Sequence, residues 1–319
     1  MNTVDWLLNS DPAIRWQAVR DLTDALPETI RAERARVARE GLGAEILSRQ
    51  EADGSWRRHD APVWLPTLFT MLLLRATGID PGEPAVQRAL ERLDTSLRWN
   101  DQGGCWNLRP AGTGGHRFFE GEVEPCINGG VLALGAYFGR PAKTLAQRLV
   151  DEQLGDGGWN CEAPTSARSS FHTTICVLEG LLEYERAVGA APEVRAARLR
   201  GEEYLRDRGL FRRRSTGEIA NRDFLELAFP PRYHYDVLRA LDYFRNAEAP
   251  TDARMREAVE CVKSKRQEDG RWLLDRAYDE ALVLAIGERV GQPSRWNSLR
   301  GLRVLDWWER RRASRGSAH

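Results

Sequence analysis

Asp53-Gly54-Ser55-Trp56, Gly103-Gly104-Cys105-Trp106, Asp156-Gly157-Gly158-Trp159, Arg208-Gly209-Leu210-Phe211 and Asp269-Gly270-Arg271-Trp272 are five versions of one phrase, a glycine turn ending in an aromatic residue. The aromatics fall 50, 53, 52 and 61 residues apart. Self-similarity at so regular an interval marks stacked supersecondary units, each of which buries its apolar face only against a neighbour. After each turn comes an apolar helical run and then an amphipathic one. The phrase therefore predicts a chain of helix pairs.

The apolar members are predicted near 62–78, 124–139, 170–187, 232–246 and 276–291. Their amphipathic partners are predicted near 83–98, 141–153, 191–207, 252–266 and 295–311. In the first partner, Val86, Leu90, Leu93 and Leu97 form one stripe, the pattern of a helix with one wet face. The apolar members carry runs such as Val131-Leu132-Ala133-Leu134 and Val177-Leu178. A helix apolar nearly all round is buried on both sides, so these members form an inner ring and the others an outer ring. Residues 1–49 add a sixth pair. Asp11-Pro12 supplies an N-cap and a first helical position, Ile14, Ala18, Val19 and Leu22 follow, and Pro27 opens a 28–49 helix. Six inner and six outer helices make an all-α, (α/α)6 barrel over residues 1–312, with 313–319 as a flexible tail. No alternating strand pattern stands out. The 209–231 loop is the longest and has the look of a lid or specificity insertion.

The 319 residues carry 47 Lys+Arg and 47 Asp+Glu. A net charge of zero offers no field to attract nucleic acid or an anionic membrane. The cluster Arg310-Arg311-Arg312 with Arg315 reads as a solvated end. No apolar run reaches the ~18–20 residues needed to cross a bilayer, and Met1 to Leu8 has no signal-peptide pattern. Five cysteines, Cys105, Cys126, Cys161, Cys176 and Cys261, are an odd and scattered set, which predicts reduced thiols and a cytoplasmic protein.

Gln50-Glu51-Ala52-Asp53-Gly54-Ser55-Trp56 and Gln153-Leu154-Gly155-Asp156-Gly157-Gly158-Trp159 resemble the Gln…Gly-x-Trp motifs of squalene and oxidosqualene cyclases, whose α/α toroid is also that of protein prenyltransferase β-subunits. The likeness runs from about residue 50 to the end. These motifs bear on the fold more than on the reaction.

In such a barrel the inner helices begin at one mouth of a central cavity. Superposing Val131-Leu132 on Val177-Leu178 sets Cys126 level with His172, with Glu124 two residues before Cys126. Carboxylate, thiolate and imidazole make a three-ligand zinc site with an open fourth position. The resemblance sharpens here: Glu124-Pro125-Cys126 and Phe171-His172-Thr173 look like the family's Asp-x-Cys and aromatic-His-Thr, which hold zinc, and Arg168 matches the basic residue before them. In that family the zinc activates a thiol that attacks a prenyl diphosphate. The diphosphate cations of the family are missing, however. Trp64 stands at the His position, Phe118 and Gly121 at the Arg and Lys positions, and Ile127 at the Tyr position; Arg117 is one residue out of phase. The loop around Glu120, Glu122 and Glu124 is acidic instead.

Pro230-Pro231-Arg232-Tyr233-His234-Tyr235-Asp236 opens the next predicted inner helix. Phase sets Arg232 level with His172, and His234 with Asp236 one turn deeper as an acid–base pair. Trp64, Phe118, Phe119, Phe171, Tyr233, Tyr235 and Tyr278 would line the cavity and suit an isoprenoid chain or a carbocation. The same residues read equally as core, and Asp236 reads equally as a helix-start anion.

The expectation is a zinc enzyme (Glu124, Cys126, His172) acting on an isoprenoid-like or other apolar small molecule, with His234 and Asp236 moving protons. One alternative is a metal-free carbocation cyclase using Asp236, Glu120, Glu122 or Glu124 as the acid. Another is a non-catalytic toroid that binds lipid or peptide, and a remoter one is an α/α-barrel glycosidase. Asp-x-Asp-Asp, Asp-Asp-x-x-Asp, a Gly-Lys-Ser/Thr phosphate loop and His-Glu-x-x-His are all absent from the sequence. No nucleotide cofactor is implied, and the partner subunit is open.

Overall fold

The computed structural model describes residues 1–61, 64–100, 108–110 and 114–316. The second Gly-Trp turn, with Cys105, lies outside the described residues. Thirteen α-helices occur among the described residues, with little sheet, and none is long and apolar enough to cross a membrane. Two units are distinguished. Ala44–Tyr204 with Glu280–Leu284 forms one; Met1–Gly43, Leu205–Asp279 and the stretch from Ala285 onward form the other.

In the 44–204 unit the two described glycine turns make the same bonds. The Trp56 indole N–H donates to Ile46 O at 2.8 Å, and the Trp159 indole to Leu149 O at 2.6 Å. Each acceptor lies ten residues upstream, in the last turns of the preceding helix. Each Trp backbone N–H donates to a hydroxyl, Thr67 at 3.0 Å and Thr174 at 3.1 Å. Both hydroxyls sit on the fourth residue of the following helix, Trp64–Thr77 or Phe171–Val188. The motif glutamines complete the turn. Gln50 donates to Gly54 O and Ala85 O, and Gln153 to Gly157 O and Ala197 O. Gly157 has φ +94°, and a Cβ there would stand 2.8 Å from Arg200 O; only glycine fits. The expected pairs appear as Trp64–Thr77 with Pro84–Ser96, Pro125–Tyr137 with Lys143–Asp151, and Phe171–Val188 with Pro192–Arg206. Two of the apolar helices touch backbone to backbone, since a Cβ on Gly180 would come within 2.5 Å of Gly129 O.

The other unit repeats the device with a change of parts. The Trp272 indole donates to Val262 O at 2.7 Å, again ten residues back, and its backbone N–H donates to Ser298 Oγ at 3.0 Å. Arg266 takes the glutamine's place, donating to Gly270 O at 3.1 Å. Ser298 is the fourth residue of Arg295–Gly316, so this helix holds the inner-type position after Trp272. That corrects the sequence reading, which placed an inner helix at 276–291 and made 295–311 an outer one. The segment is not helical. Trp272–Leu273 pairs with Pro293–Ser294, and Ala281, Gly287 and Gly291 all have positive φ. The surface that follows the turn comes from the N-terminus, where a Cβ on Gly270 would lie 2.6 Å from Thr3 Oγ1 in helix Thr3–Leu8.

Three further boundaries differ from expectation. The 28–49 helix is two helices, Pro27–Ala35 and Gly41–Ser48. Gly41 has φ +62°, and Asp11 Oδ2, which caps Leu42 N–H at 2.6 Å, occupies the space a side chain would need. The 232–246 helix begins only at Val237. Leu97–Trp99 pairs with Leu108–Pro110 and with His116–Arg117 in a three-stranded antiparallel sheet; strands of two or three residues carry no readable alternation.

Trp159→Phe keeps the ring and removes the donor, leaving the Leu149 carbonyl buried without that partner. A loss of about 1–3 kcal/mol is expected in urea unfolding. Gly180→Ala is expected to lose at least as much by forcing two backbones apart. Unchanged midpoints in both variants would show that the turns do not carry the packing.

Candidate functional site

The starts of helices Pro125–Tyr137 and Phe171–Val188 bring together most of the chemistry in the 44–204 unit. Pro125 takes the first position of its helix, where its missing N–H costs nothing, and Ser170 caps the other by accepting Thr173 N–H. The loop before Pro125 is clamped by Asn128, whose side chain accepts Glu122 N–H at 2.8 Å and donates to Glu122 O at 2.7 Å. The Glu122 side chain is thereby buried. It accepts Glu124 N–H at 3.2 Å, which keeps the Glu122 carboxyl beside Glu124. Burial pushes the Glu124 carboxyl above its ordinary range, more than Glu122 pulls it down.

Beside this pair lie two thiols. Cys126 and Cys161 are near enough to shift each other's titration. The Thr173 hydroxyl is 3.4 Å from Cys161 Sγ. The neighbouring Cys161, with burial, pushes the Cys126 thiol far up. Cys126 and Thr173 outweigh burial and hold Cys161 below the usual thiol range. Cys161 was not among the residues expected at a site. It sits in the loop after Trp159, where counting along helices gives no position.

His172 is the second residue of its helix and half-buried. Among the described residues no group of three or more His, Cys, Asp or Glu side chains is placed to hold a metal ion. Glu124, Cys126 and His172 are therefore not gathered into one; Cys126 lies near Cys161 instead.

The other expected binding residues in this unit are engaged elsewhere. Trp64 packs edge-on to Trp99 at 6.0 Å, and Trp99 stacks on Phe118 at 5.5 Å. Both Trp64 and Phe118 belong to the core. Arg117 pairs with Asp94 at 2.6 Å on an exposed strand. Phe171 packs against Tyr204 at 5.7 Å. Arg168 is exposed and its carbonyl accepts from Asn160.

In the other unit, Arg232, Tyr233 and His234 precede helix Val237–Asn246 rather than lying on it, which corrects their expected phase with His172. The longer loop and Pro230-Pro231 shift the helix start. Arg232 has φ +47°, Tyr233 is half exposed, and His234 stacks on Tyr278 at 3.5 Å. Tyr235 is buried and donates to Leu210 O. Asp236 is fully buried. It caps the helix by accepting Arg239 N–H at 2.8 Å and faces Ala228 N–H at 3.5 Å. Burial pushes its carboxyl up while Arg300 and Arg239 pull it back. Its geometry is that of a structural cap.

Two features of this unit were not read from sequence. A cleft of about 540 Å³ is lined by Ser10, Asp11, Glu288, Arg289, Arg295 and Trp296 among others. Glu288 in its wall caps the last helix through Arg295 N–H at 2.6 Å. A buried charge network joins helices Pro12–Leu22, Val237–Asn246 and Arg295–Gly316. Arg303 Nε donates to Asp242 Oδ1 at 2.8 Å, Arg303 reaches Gln17 at 3.1 Å, and Arg245 donates to Asp242 at 3.1 Å. Burial pushes Asp242 up, but Arg303, Arg245 and Arg300 together hold it well below its ordinary range.

Comparison with models of known protein families and with characterised proteins finds no match to this chain.

Because Asp242 is depressed in the fold, its contribution to stability is full above the unfolded carboxylate pKa of about 3.9. It is lost as pH falls below that value. Asp242→Asn leaves buried arginines short of a counter-charge and is expected to cost about 3–5 kcal/mol at pH 7. The gap from the native protein should narrow in urea titrations near pH 3; a gap independent of pH would remove the charge explanation.

Proposed function

We propose that the chain is an enzyme of the terpenoid-cyclase and prenyltransferase toroid type, acting by proton transfer on an isoprenoid-like or other apolar small molecule. The six inner members in this reading are Pro12–Leu22, Trp64–Thr77, Pro125–Tyr137, Phe171–Val188, Val237–Asn246 and Arg295–Gly316. The repeated Gln–Gly–Trp turn supports that arrangement. The observation that carries the chemistry is the half-buried Glu124 carboxyl at the start of one of them, beside the buried Glu122 that accepts its backbone N–H.

A carboxyl group held protonated by burial can deliver a proton to an alkene. Glu124, half-buried, is the donor. Glu122, fully enclosed, accepts Glu124 N–H and so holds the donor's backbone in place. The C–H bond forms at the less substituted alkene carbon, the carbocation is left on the other, and a second carbon–carbon double bond of the same chain can close on it. Loss of a proton to the Glu124 carboxylate ends the cycle and restores the acid. No step is routed through zinc, because the residues present do not gather its ligands. Asp236, spent on its cap, is not the acid.

A second reading, a toroid that binds lipid or peptide without catalysis, is favoured by the engagement of Trp64, Phe118 and Arg117 in packing and pairing. The diphosphate positions of the resemblance thus offer no unengaged cation.

The test is incubation of the purified protein with linear polyprenyl hydrocarbons and alcohols, with and without chelator, followed by mass-spectrometric product analysis. Cyclised isomer is expected in both conditions. Glu124→Gln should lower turnover by about 10²–10⁴-fold, the usual worth of a positioned acid. The raised Glu124 also fixes the sign of the pH profile: turnover is present while Glu124 holds its proton and falls as pH rises. Product that appears only on adding zinc would overturn the proton mechanism. Ligand recovered unchanged would establish the binding reading.

A further inference from the structure

The cleft of about 540 Å³ belongs wholly to the unit that lacks Glu124. Small-molecule sites occupy roughly 300–1,000 Å³, so its size is that of a ligand pocket. Ile14, Leu42, Ile286, Pro293 and Trp296 give it apolar walls, and Trp296 is held by stacking on Phe229 at 4.1 Å. The loop from Ile286 to Pro293 is fixed as well. Gly291 N–H donates to Leu274 O at 2.7 Å, Gln292 N–H donates to Arg289 O at 3.1 Å, and Gln292 O accepts Leu274 N–H at 2.9 Å. The walls are therefore formed before any ligand arrives.

The charged groups in these walls differ in what they still offer. Asp11 Oδ1 accepts Ala13 N–H at 2.8 Å, and its Oδ2 accepts Leu42 N–H at 2.6 Å. Glu288 Oε1 accepts Arg295 N–H at 2.6 Å, and its Oε2 accepts the Ser294 hydroxyl at 2.5 Å. Every carboxylate oxygen in the walls thus has a donor. The two wall arginines are not so placed. Arg295 donates from Nη1 to Trp6 O and Asn9 O, while its Nε and Nη2 make no hydrogen bond and no ion pair among the described residues. Arg289 is exposed, and its side chain makes neither among the described residues. A further guanidinium, Arg271, shares the Trp6 ring with Arg295, each 4.3 Å from its centre. Burial pushes Arg295 below its ordinary range, the charge of Arg271 adds to that, and Glu288 opposes it.

We propose that this cleft binds a small carboxylate with an apolar body, its anion on Arg295 and Arg289 and its hydrocarbon against Ile14, Leu42 and Trp296. The Nε–H and Nη2–H of a guanidinium form one edge of its fork, and two parallel bonds from that edge match the two oxygens of a carboxylate. An anion there answers the charge that the protein leaves without a partner. A cation is poorly served, because the donors on Asp11 and Glu288 already take the oxygens that would hold it. Burial of the hydrocarbon supplies affinity, and the fork supplies orientation. This assignment does not depend on what Glu124 does to its substrate.

The test is titration calorimetry of the full chain with octanoate, 1-octanol and acetate. Octanoate is expected to bind. Octanol should bind at least about tenfold more weakly, the common worth of a hydrogen bond to a charged group, and acetate should not bind at millimolar concentration. Arg295→Met should reduce octanoate to the affinity of octanol. Arg295 also holds Trp6 O, so that variant may fail to fold, and two other readouts then decide. Arg289→Ala, at an exposed side chain, should weaken octanoate and leave octanol unchanged. On irradiation of the native protein, an octanoate bearing a diazirine should label residues 10–14, Leu42 or residues 286–296. Equal affinities for octanoate and octanol, no binding of octanoate, undiminished octanoate affinity in the arginine variants, or labels confined to other residues would overturn the proposal.

Discussion

A single hydrogen bond, from a buried indole to a carbonyl ten residues back, sets the geometry of three of the five turns. Trp56, Trp159 and Trp272 all make it, to Ile46, Leu149 and Val262. The acceptor is one of the last carbonyls of a helix, where intrahelical partners run out; Ile46 O and Val262 O take one further backbone N–H each, from Arg49 and Lys265. The Trp backbone N–H then finds a hydroxyl on the fourth residue of the next helix. One amino acid thus satisfies the end of one helix and the start of another while filling the gap between them. Moving the Trp by one residue along the turn would break both bonds that its two N–H groups make, at about 1–3 kcal/mol each.

This constraint explains how much of the fold was legible. The turns are visible in sequence because glycine and a large aromatic recur at their positions, with Phe211 standing for the indole in the fourth. Glutamine is replaceable, and Arg266 shows how: its guanidinium reaches the same glycine carbonyl and lies over the Trp272 ring at 5.4 Å. The helix that follows each turn is less secure, because apolar content alone does not identify it. Residues 276–291 are apolar enough to pass as a buried helix, yet Gly287 and Gly291 break the path and the strand pair at Trp272–Leu273 takes its backbone bonds. A better guide was present in Ser298, a hydroxyl at the phase of Thr67 and Thr174. The hydroxyl marks the inner-type helix where hydrophobicity does not.

The candidate site was legible by region more than by residue. Superposing repeats led to the starts of the helices at Pro125 and Phe171, where reactive groups do meet. It could not reach Cys161, because a loop residue has no helical phase, nor the Glu122–Glu124 bond, which depends on Asn128 folding the loop back on itself. For His234 and Asp236 the phase argument failed outright. It assumed a helix from 232, and the structure starts that helix after the side chain that caps it.

The gathering of polar chemistry at helix starts has a physical cause that does not depend on descent. In a helical core the backbone is satisfied within each helix, so a buried polar side chain finds no donors along the shaft. The first turn is the exception, with N–H groups free to receive an anion or a lone pair. Asp11, Ser170, Asp236 and Glu288 all use it. The deep polar cluster around Asp242, away from a helix start, needs arginines on two helices to replace what backbone amides give elsewhere. Capping and reactive chemistry therefore compete for the same few places. A carboxylate there is a cap when backbone amides fill its acceptor sites, as at Asp236. It is free for chemistry when they do not, as at Glu124, which holds the cap position of its helix without making the cap bond.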